Sequence, residues 1–202
     1  MKTQLIVIAS QNTAKIQEMR QLLAGLPLQV ASAGESDFSD NIVEDGGSFE
    51  ANARLKAEIV SAALECWALA DDSGIEVDFL SGAPGVDSAI FAGVHGDDAA
   101  NNAKLLALLA GVPPEQRTAR FISVIALATP NGATVTFSGV CEGFILNEPR
   151  GKSGFGYDPL FIPIGESESF GEMTPIAKNA ISHRSIAMGK LRDYLKQTIT
   201  IV

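Results

Sequence analysis

Positive charge is scarce in this 202-residue chain: 15 Lys and Arg stand against 24 Asp and Glu, a formal net charge of -9 at pH 7. Binding along a phosphate backbone draws on clustered Lys and Arg, so the balance argues against a nucleic-acid partner. The deficit is local. Residues 35–98 hold 15 of the 24 acids and only two bases, Arg54 and Lys56, for -13, so the other 138 residues carry +4. Long apolar runs are missing too. The first, Leu5 to Ala9, is shorter than the roughly 7–15 residues of a signal-peptide core, and no stretch approaches the ~18 apolar residues of a membrane span. No membrane partner and a cytoplasmic location are therefore expected. Cysteine is limited to Cys66 and Cys141 with no C-x-x-C spacing, which suggests neither a disulfide framework nor a thiolate zinc site. Both are read as small buried apolar residues. No Ser or Cys nucleophile stands at a recognisable spacing from a base, so covalent catalysis has little support. No repeat, low-complexity tract or linker divides the chain.

What is present can fill a core, since 46% of residues are hydrophobic. Gln4 to Ala9 reads as a buried strand. Ile16, Met19, Leu22 and Leu23 then recur at helical spacing until Gly25 and Pro27. A second strand is expected over Leu28 to Ala33, followed by an acidic loop from Gly34 to Gly47. Ser48 can cap a helix through Phe49, Leu55, Ile59 and Ala63 to Leu64. Trp67 to Ala70 and Ile75 to Phe79 read as short strands around a turn, Asp71-Asp-Ser-Gly74, and Ser81 to Gly96 reads as loop. Asp97 or Asp98 starts a helix whose Leu105, Leu106, Leu108 and Leu109 are expected to pack inward. Arg120 to Thr129 and Ala133 to Ile145 form a hairpin around Pro130-Asn-Gly132. After the Gly-rich loop Gly151 to Tyr157 come an apolar run, Leu160 to Ile164, and a last helix from Ser182 or Ser185 to Lys196. Early alternation of strands and helices with a late hairpin fits a mixed-sheet α/β protein.

Four segments can carry chemistry. Ser10 to Lys15 joins a strand to a helix N-terminus, where backbone N–H groups and the dipole favour an anion, with Asn12 and Lys15 as extra donors. It is not a Walker P-loop, and Asn12 can equally be a turn former and Lys15 a solvated charge. In Asp71-Asp-Ser-Gly74 two adjacent carboxylates repel unless a cation sits beside them, and such hard oxygen donors suit Mg2+, with Glu44 and Asp45 reachable from a flexible loop. Solvation of a turn is the plainer explanation of the same acids. Gly151-Lys-Ser-Gly-Phe-Gly-Tyr-Asp158 places two aromatics on a glycine-rich backbone, a means of stacking on a planar base, although Phe155 and Tyr157 can equally anchor the core. Lys178, His183 and Arg184 gather an ammonium, an imidazole and a guanidinium within seven residues, suited to phosphate and polar base edges. His183 as a cap neighbour and Arg184 as a surface ion pair remain open. His95 with Asp97 and Asp98 lacks ligand spacing and is read as loop and helix-cap chemistry.

Taken in order, these blocks resemble the inosine/xanthosine triphosphate pyrophosphatase family: Ser10-Gln-Asn-Thr-Ala-Lys15, Glu44-Asp-Gly-Gly-Ser-Phe-Glu-Ala-Asn-Ala53 with Lys56, Ala70-Asp-Asp-Ser-Gly-Ile-Glu-Val-Asp78, Gly82-Ala-Pro-Gly-Val86, Gly154-Phe-Gly-Tyr-Asp-Pro159 and Ser182-His-Arg184. The resemblance implies one nucleoside triphosphate pyrophosphatase domain over residues 1–202. It implies an α/β fold, a long mixed twisted sheet flanked by helices, with two lobes around a central cleft, and a homodimer. The implied activity is hydrolysis of the purine nucleoside triphosphates ITP, dITP and XTP to monophosphate and pyrophosphate with Mg2+ as cofactor. Ser10, Gln11, Asn12, Thr13, Ala14, Lys15 and Lys56 would hold the triphosphate. Glu44 and Asp72 would engage the metal, with Asp72 as proton acceptor, and Ser73 would contact the nucleotide. Phe155, Gly156, Tyr157, Asp158, Lys178, His183 and Arg184 would surround the base and nearby phosphate. Gln11 stands where a glycine is common, and Ala89-Ile90 where many relatives carry Ala-Arg. A pyrophosphatase for other modified or pyrimidine triphosphates, and a nucleotide sensor without catalysis, are the alternatives.

Overall fold

The computed structural model describes residues 3–36, 38, 42–130 and 132–199. Positions 37 and 39–41 of the expected acidic loop and Asn131 of the expected turn lie outside the described residues. Six strands form one mixed sheet in the order β2-β1-β3-β4-β5-β6: β1 Gln4–Ile8, β2 Leu28–Ser32, β3 Trp67–Val77, β4 Thr118–Ala128, β5 Val135–Ile145 and β6 Phe161–Pro163. β1 runs parallel to β2, with Ile6 opposite Val30, and to β3, with Val7 opposite Ala68. β5 and β6 are antiparallel. The helices are α1 Thr13–Leu23, α2 Phe49–Leu64, α3 Asp98–Leu108, α4 Pro175–Ile181 and α5 His183–Ile199. Four begin on a side-chain cap: Asn12, Ser48, Asp97 and Thr174 each accept a backbone N–H three residues on, satisfying donors that the first turn leaves orphaned.

The chain folds as two compact units. The first comprises residues 1–72, 123–139 and 184–202, the second 73–122 and 140–183. The first has a core of Ile6, Ile8, Met19, Leu23, Leu69, Ile125, Leu127 and one face of α5, Ala187, Met188, Leu191 and Leu195. In the second, Ile75, Val77, Leu105, Leu109 and Tyr157 pack with an aromatic group in which Phe121 meets Phe161 edge-on at 4.8 Å and Phe170 lies 5.3 Å from Phe161. Arg117 is buried there without a carboxylate. It donates to the carbonyls of Leu109, Ile145 and Leu146, fastening the end of α3 to the end of β5.

Several expectations change. Asp71 to Gly74 form no turn: β3 is one continuous strand of 11 residues and Phe79 lies beyond its end, exposed. Asp favours a turn while its carboxylate seeks water, and here Asp71 and Asp72 both find protein cations instead. On α3, Leu105 and Leu109 are buried, Leu106 is half-buried and Leu108 is 46% exposed, because an i, i+4 pair suffices for a helix covering one core. The inward stripe of α2 is Phe49, Asn52, Ala53, Lys56, Ala57, Val60 and Ser61, so Ile59 and Ala63 face outward. Polar Asn52 and Lys56 hid that stripe from a purely apolar count. The C-terminal segment holds two helices, with Lys178 on α4, and the last begins at His183 and runs past Lys196 to Ile199. Cys141 is buried as expected, while Cys66 is only half-buried.

The Gly151 to Tyr157 loop depends on close approaches at two of its glycines, Gly151 against backbone and Gly154 against the Asp158 carboxylate. A Cβ at Gly151, whose φ is +81°, would lie 1.9 Å from the Gly171 carbonyl oxygen. Overpacking against rigid backbone and a left-handed φ both cost free energy, so Gly151→Ala should destabilise by about 2–4 kcal/mol. Urea unfolding checks this, and an unchanged midpoint would contradict it.

Candidate active site

Successive residues of a strand point to opposite faces of the sheet. Asp71 and Asp72, adjacent on β3, therefore look in opposite directions, and each meets its own helices. Both are buried.

Asp71 faces α1 and α5. Its Oδ2 lies 2.9 Å from Lys15 Nζ and 3.1 Å from an Arg184 nitrogen, and its Oδ1 accepts from Ser123 Oγ of β4 at 2.7 Å. Arg184 is itself buried and also pairs with Glu18, one turn along α1 from Lys15. Burial alone would raise Asp71, yet Arg184 and Lys15 outweigh it and hold this carboxyl well below its ordinary value. Burial would likewise lower Arg184, but Asp71 and Glu18 push it above its usual range. Asp71 and Arg184 favour each other's charged form, and Arg184 is no surface ion pair.

Asp72 faces α2. Lys56 Nζ lies 2.9 Å from Asp72 Oδ1 and 2.9 Å from Glu44 Oε2, and donates at 3.0 Å to the Asp71 carbonyl. Asn52, one turn earlier on the same helix, donates to Asp72 Oδ2 at 3.3 Å and accepts the Gly46 N–H at 2.9 Å, tying the Glu44 loop to the strand. Burial pushes Asp72 up to about 6, against the pull of Lys56, and the Glu44 carboxyl adds to the rise. For Glu44 burial is outweighed by Lys56, which holds it below its ordinary value. Lys56 in turn is raised, burial notwithstanding, by Asp72 and Glu44. Two adjacent carboxyls are thus driven apart, one locked ionised and one left basic, a pattern that assigns distinct acid–base roles.

The donor set meeting at Lys56 is oxygen only. Among the described residues no group of three or more His, Cys, Asp or Glu converges, so Glu44 and Asp72 alone would ligate a cation. A hard divalent ion that keeps waters and takes phosphate oxygens fits such a pair. The Ser10 to Lys15 segment leads into the first turn of α1, which starts at Thr13, with Gln11, Asn12 and Thr13 exposed. Ser10 Oγ accepts the Asn12 N–H at 3.2 Å and Asn12 Oδ1 the Lys15 N–H at 3.1 Å. Lys15 reaches Asp71 with 18% of its side chain still exposed.

The second unit holds the remaining candidates. Asp158 Oδ2 accepts the Phe155 N–H at 2.8 Å and pairs with Lys178 Nζ at 2.7 Å, both side chains being buried. Lys178 Nζ also lies 4.9 Å above the Phe155 ring, a cation–π contact. Tyr157 is a core residue and no stacking platform: it is buried and its hydroxyl donates to the Ser88 carbonyl at 2.9 Å. His183 is buried with its ring stacked on Phe121 at 4.7 Å and 10°. Ser73, half-buried, follows Asp72 on β3.

A family model, that of the Ham1 family, matches residues 6–194. The chain belongs to the Ham1 family. A relative from Desulforamulus reducens named dITP/XTP pyrophosphatase is 50% identical over 192 residues, covering 95% of this chain and 96% of the relative. The solved Staphylococcus aureus Ham1 protein is 36% identical with a TM-score of 0.87, covering 96% of this chain and all of that one. A solved HAM1 protein from Coxiella burnetii is 41% identical with a TM-score of 0.87, covering 96% and 99%. The Desulforamulus reducens relative carries the name that the motif order led one to expect.

In this Ham1 chain the structure brings together Lys15, Arg184 and Asp71 on one face of β3, and Lys56, Glu44 and Asp72 on the other. It brings Phe155 to Asp158 together with Lys178. Sequence reasoning missed Glu18, Asn52, Ser123 and the pairing role of Asp71. The helical signal for two of them was present, since Glu18 follows Lys15 by three and Asn52 precedes Lys56 by four.

Breaking a buried pair by removing one partner costs roughly 3–5 kcal/mol, so Asp71→Asn should destabilise by about that much at pH 7. Because its folded pKa is depressed, Asp71 stabilises above its unfolded value of about 3.8 and loses that effect as pH falls through the folded one. The gap in melting temperature between wild type and Asp71→Asn should therefore narrow below about pH 4. A constant gap from pH 7 to pH 3 would contradict the assignment.

Proposed function

We propose that residues 1–202 form a single Mg2+-dependent nucleoside triphosphate pyrophosphatase domain, acting on ITP, dITP and XTP and thereby clearing deaminated purine nucleotides from the precursor pool. The observation that carries this reading is the meeting of Glu44 and Asp72 on Lys56 in a Ham1-family chain 50% identical to a relative named dITP/XTP pyrophosphatase. Ser10 to Lys15 and Lys56 hold the triphosphate, and Ser73 contacts the nucleotide. Phe155 to Asp158, Lys178 and His183 take the base, and Arg184 the nearby phosphate.

Glu44 and Asp72 hold Mg2+, which when bound neutralises charge developing on the phosphate oxygens. Asp72 accepts the proton of a water whose oxygen attacks the α-phosphorus. The bond from that phosphorus to the bridging oxygen breaks, and its electron pair leaves with pyrophosphate. Lys15 and Lys56 offset charge that shifts onto the leaving group, while Asp71 keeps Lys15 and Arg184 in place. Positioning supplies much of the rate, as phosphoryl chemistry asks little covalent work of the protein. Base preference lies in the six-position oxygen and N1–H, which adenine cannot match.

Incubation with ITP, dITP, XTP, GTP, ATP and dTTP, with and without Mg2+, should give monophosphate and pyrophosphate fastest from ITP, dITP and XTP, and only with the metal. Equal turnover of ATP and ITP would refute the base preference. Asp72→Asn should fold and bind ITP while turnover drops by at least a hundredfold, the usual scale for removing a general base; near-normal activity would remove Asp72 from that role.

We also propose a cytoplasmic homodimer. The second unit exposes Phe79, Val86, Ile90, Val94 and Leu108, apolar side chains that a second copy can cover, and among the described residues no helix is long and apolar enough to cross a membrane. Light scattering at micromolar concentration should give twice the chain mass; the monomer mass alone would overturn the dimer.

A further inference from the structure

We propose that Asp98 and Asn102 of α3 are positioning residues that set base selectivity by clamping both peptides around Gly156. The inference rests on the reading above in which the Phe155 to Asp158 loop receives the base.

Residues four apart on a helix share a face. Asp98 and Asn102 use that face on one residue: Asp98 Oδ2 accepts the Gly156 N–H at 2.6 Å, and Asn102 Nδ2 donates to the Gly156 carbonyl at 2.9 Å. The Asn102 Oδ1 is buried without a partner among the described residues, so this amide is committed to Gly156 alone. The N–H belongs to the peptide joining 155 to 156 and the carbonyl to the peptide joining 156 to 157, so one grip fixes both. Gly156 needs such a grip. Its φ is +61° and a Cβ there would meet nothing within 4 Å, so neither a side chain nor packing at that position restrains the backbone.

The loop is held at other points by Asp158 on the Phe155 N–H and by the Tyr157 hydroxyl on the Ser88 carbonyl. The peptide joining 155 to 156 is also held through its carbonyl, which accepts the Asp158 N–H at 3.2 Å, whereas the peptide joining 156 to 157 is gripped through its carbonyl by Asn102. A rotated peptide exchanges a donor for an acceptor. That exchange is the difference between matching a six-position oxygen with N1–H and matching a six-position amino group with bare N1. A loop free to flip would accept both purines, and α3 prevents it.

The test measures KM and kcat for ITP and ATP, inhibition by tripolyphosphate, which has no base, and the thermal midpoint. Asn102→Ala and Asp98→Ala should raise KM for ITP about 3- to 10-fold, the scale of one hydrogen bond, with kcat within about twofold and the ITP-over-ATP preference falling by the same factor. Asn102→Asp should lose more than Asn102→Ala, since it sets an acceptor against the carbonyl. Asp98→Asn keeps an acceptor oxygen and should rescue most of what Asp98→Ala loses. Tripolyphosphate inhibition should not move in any variant.

Unchanged KM and preference in both Asn102 variants overturn the clamp, as does equal weakening of tripolyphosphate, which marks a general structural loss. Phe155→Ala separates the premise from the inference. If it leaves KM for ITP unchanged, the loop does not receive the base and the underlying reading fails. If it raises KM while Asn102→Ala does not, that reading stands and the clamp is wrong.

Discussion

The buried carboxylate of Asp71 is the constraint around which the first unit is arranged. Taking a carboxylate out of water costs several kcal/mol unless cations and hydrogen bonds replace the solvent. Lys15 from α1, Arg184 from α5 and Ser123 from β4 do so together. Each arrives from a different part of the chain, so a single charge decides how α1, α5, β3 and β4 are assembled. Glu18 completes the balance by pairing with the second bond-forming arm of Arg184. Two acids and two bases then sit together with no net charge, at a depth where an imbalance would be severe.

That arrangement frees its neighbour. Because β3 alternates its side chains, fixing Asp71 on one face leaves Asp72 on the other, where Asn52 and Lys56 lie one helical turn apart on α2. Identical residue types acquire opposite characters from environment alone. The first meets two cations and stays ionised under all mild conditions, whereas the second meets one cation shared with Glu44 and is raised by burial. A base for water must hold a proton more firmly than an ordinary carboxylate, and a structural anchor must not hold one at all. In the role proposed for Asp72, a dipeptide on a strand would satisfy both demands with no loop.

Much of the architecture was legible because caps and apolar periodicity are local. Ser48 before Phe49 and the helical spacing of Ile16, Met19, Leu22 and Leu23 announce their elements without tertiary knowledge. Asp71 to Gly74 were misread as a turn for the opposite reason. Local statistics place Asp and Gly in turns, while the partners that hold Asp71 in a strand are 56 and 113 residues away in sequence. Position 59 failed similarly: the apolar spacing of Leu55, Ile59 and Ala63 passed over polar Asn52 and Lys56, which belong to the buried stripe. Aromatic placement was the least legible. Nothing near His183 in sequence signals its stacking on Phe121, and of the two aromatics in the glycine-rich loop only Tyr157 joins the core. The order of the motifs carried the family where their separate chemistry left several choices open.

The ammonium of Lys56, set between Glu44 and Asp72, has a consequence for the life of the protein before it meets any ion. In many small metalloproteins ligand carboxylates or thiolates have no counter-charge until the metal binds, so metal affinity is folding energy and chelators unfold them. Here a covalently attached cation already offsets one of the two carboxylate charges. The chain can complete its fold without a metal, and in the proposed role of the pair an arriving ion would only have to displace part of Lys56's grip. Metal availability would then govern how fast the protein works without governing how much of it survives.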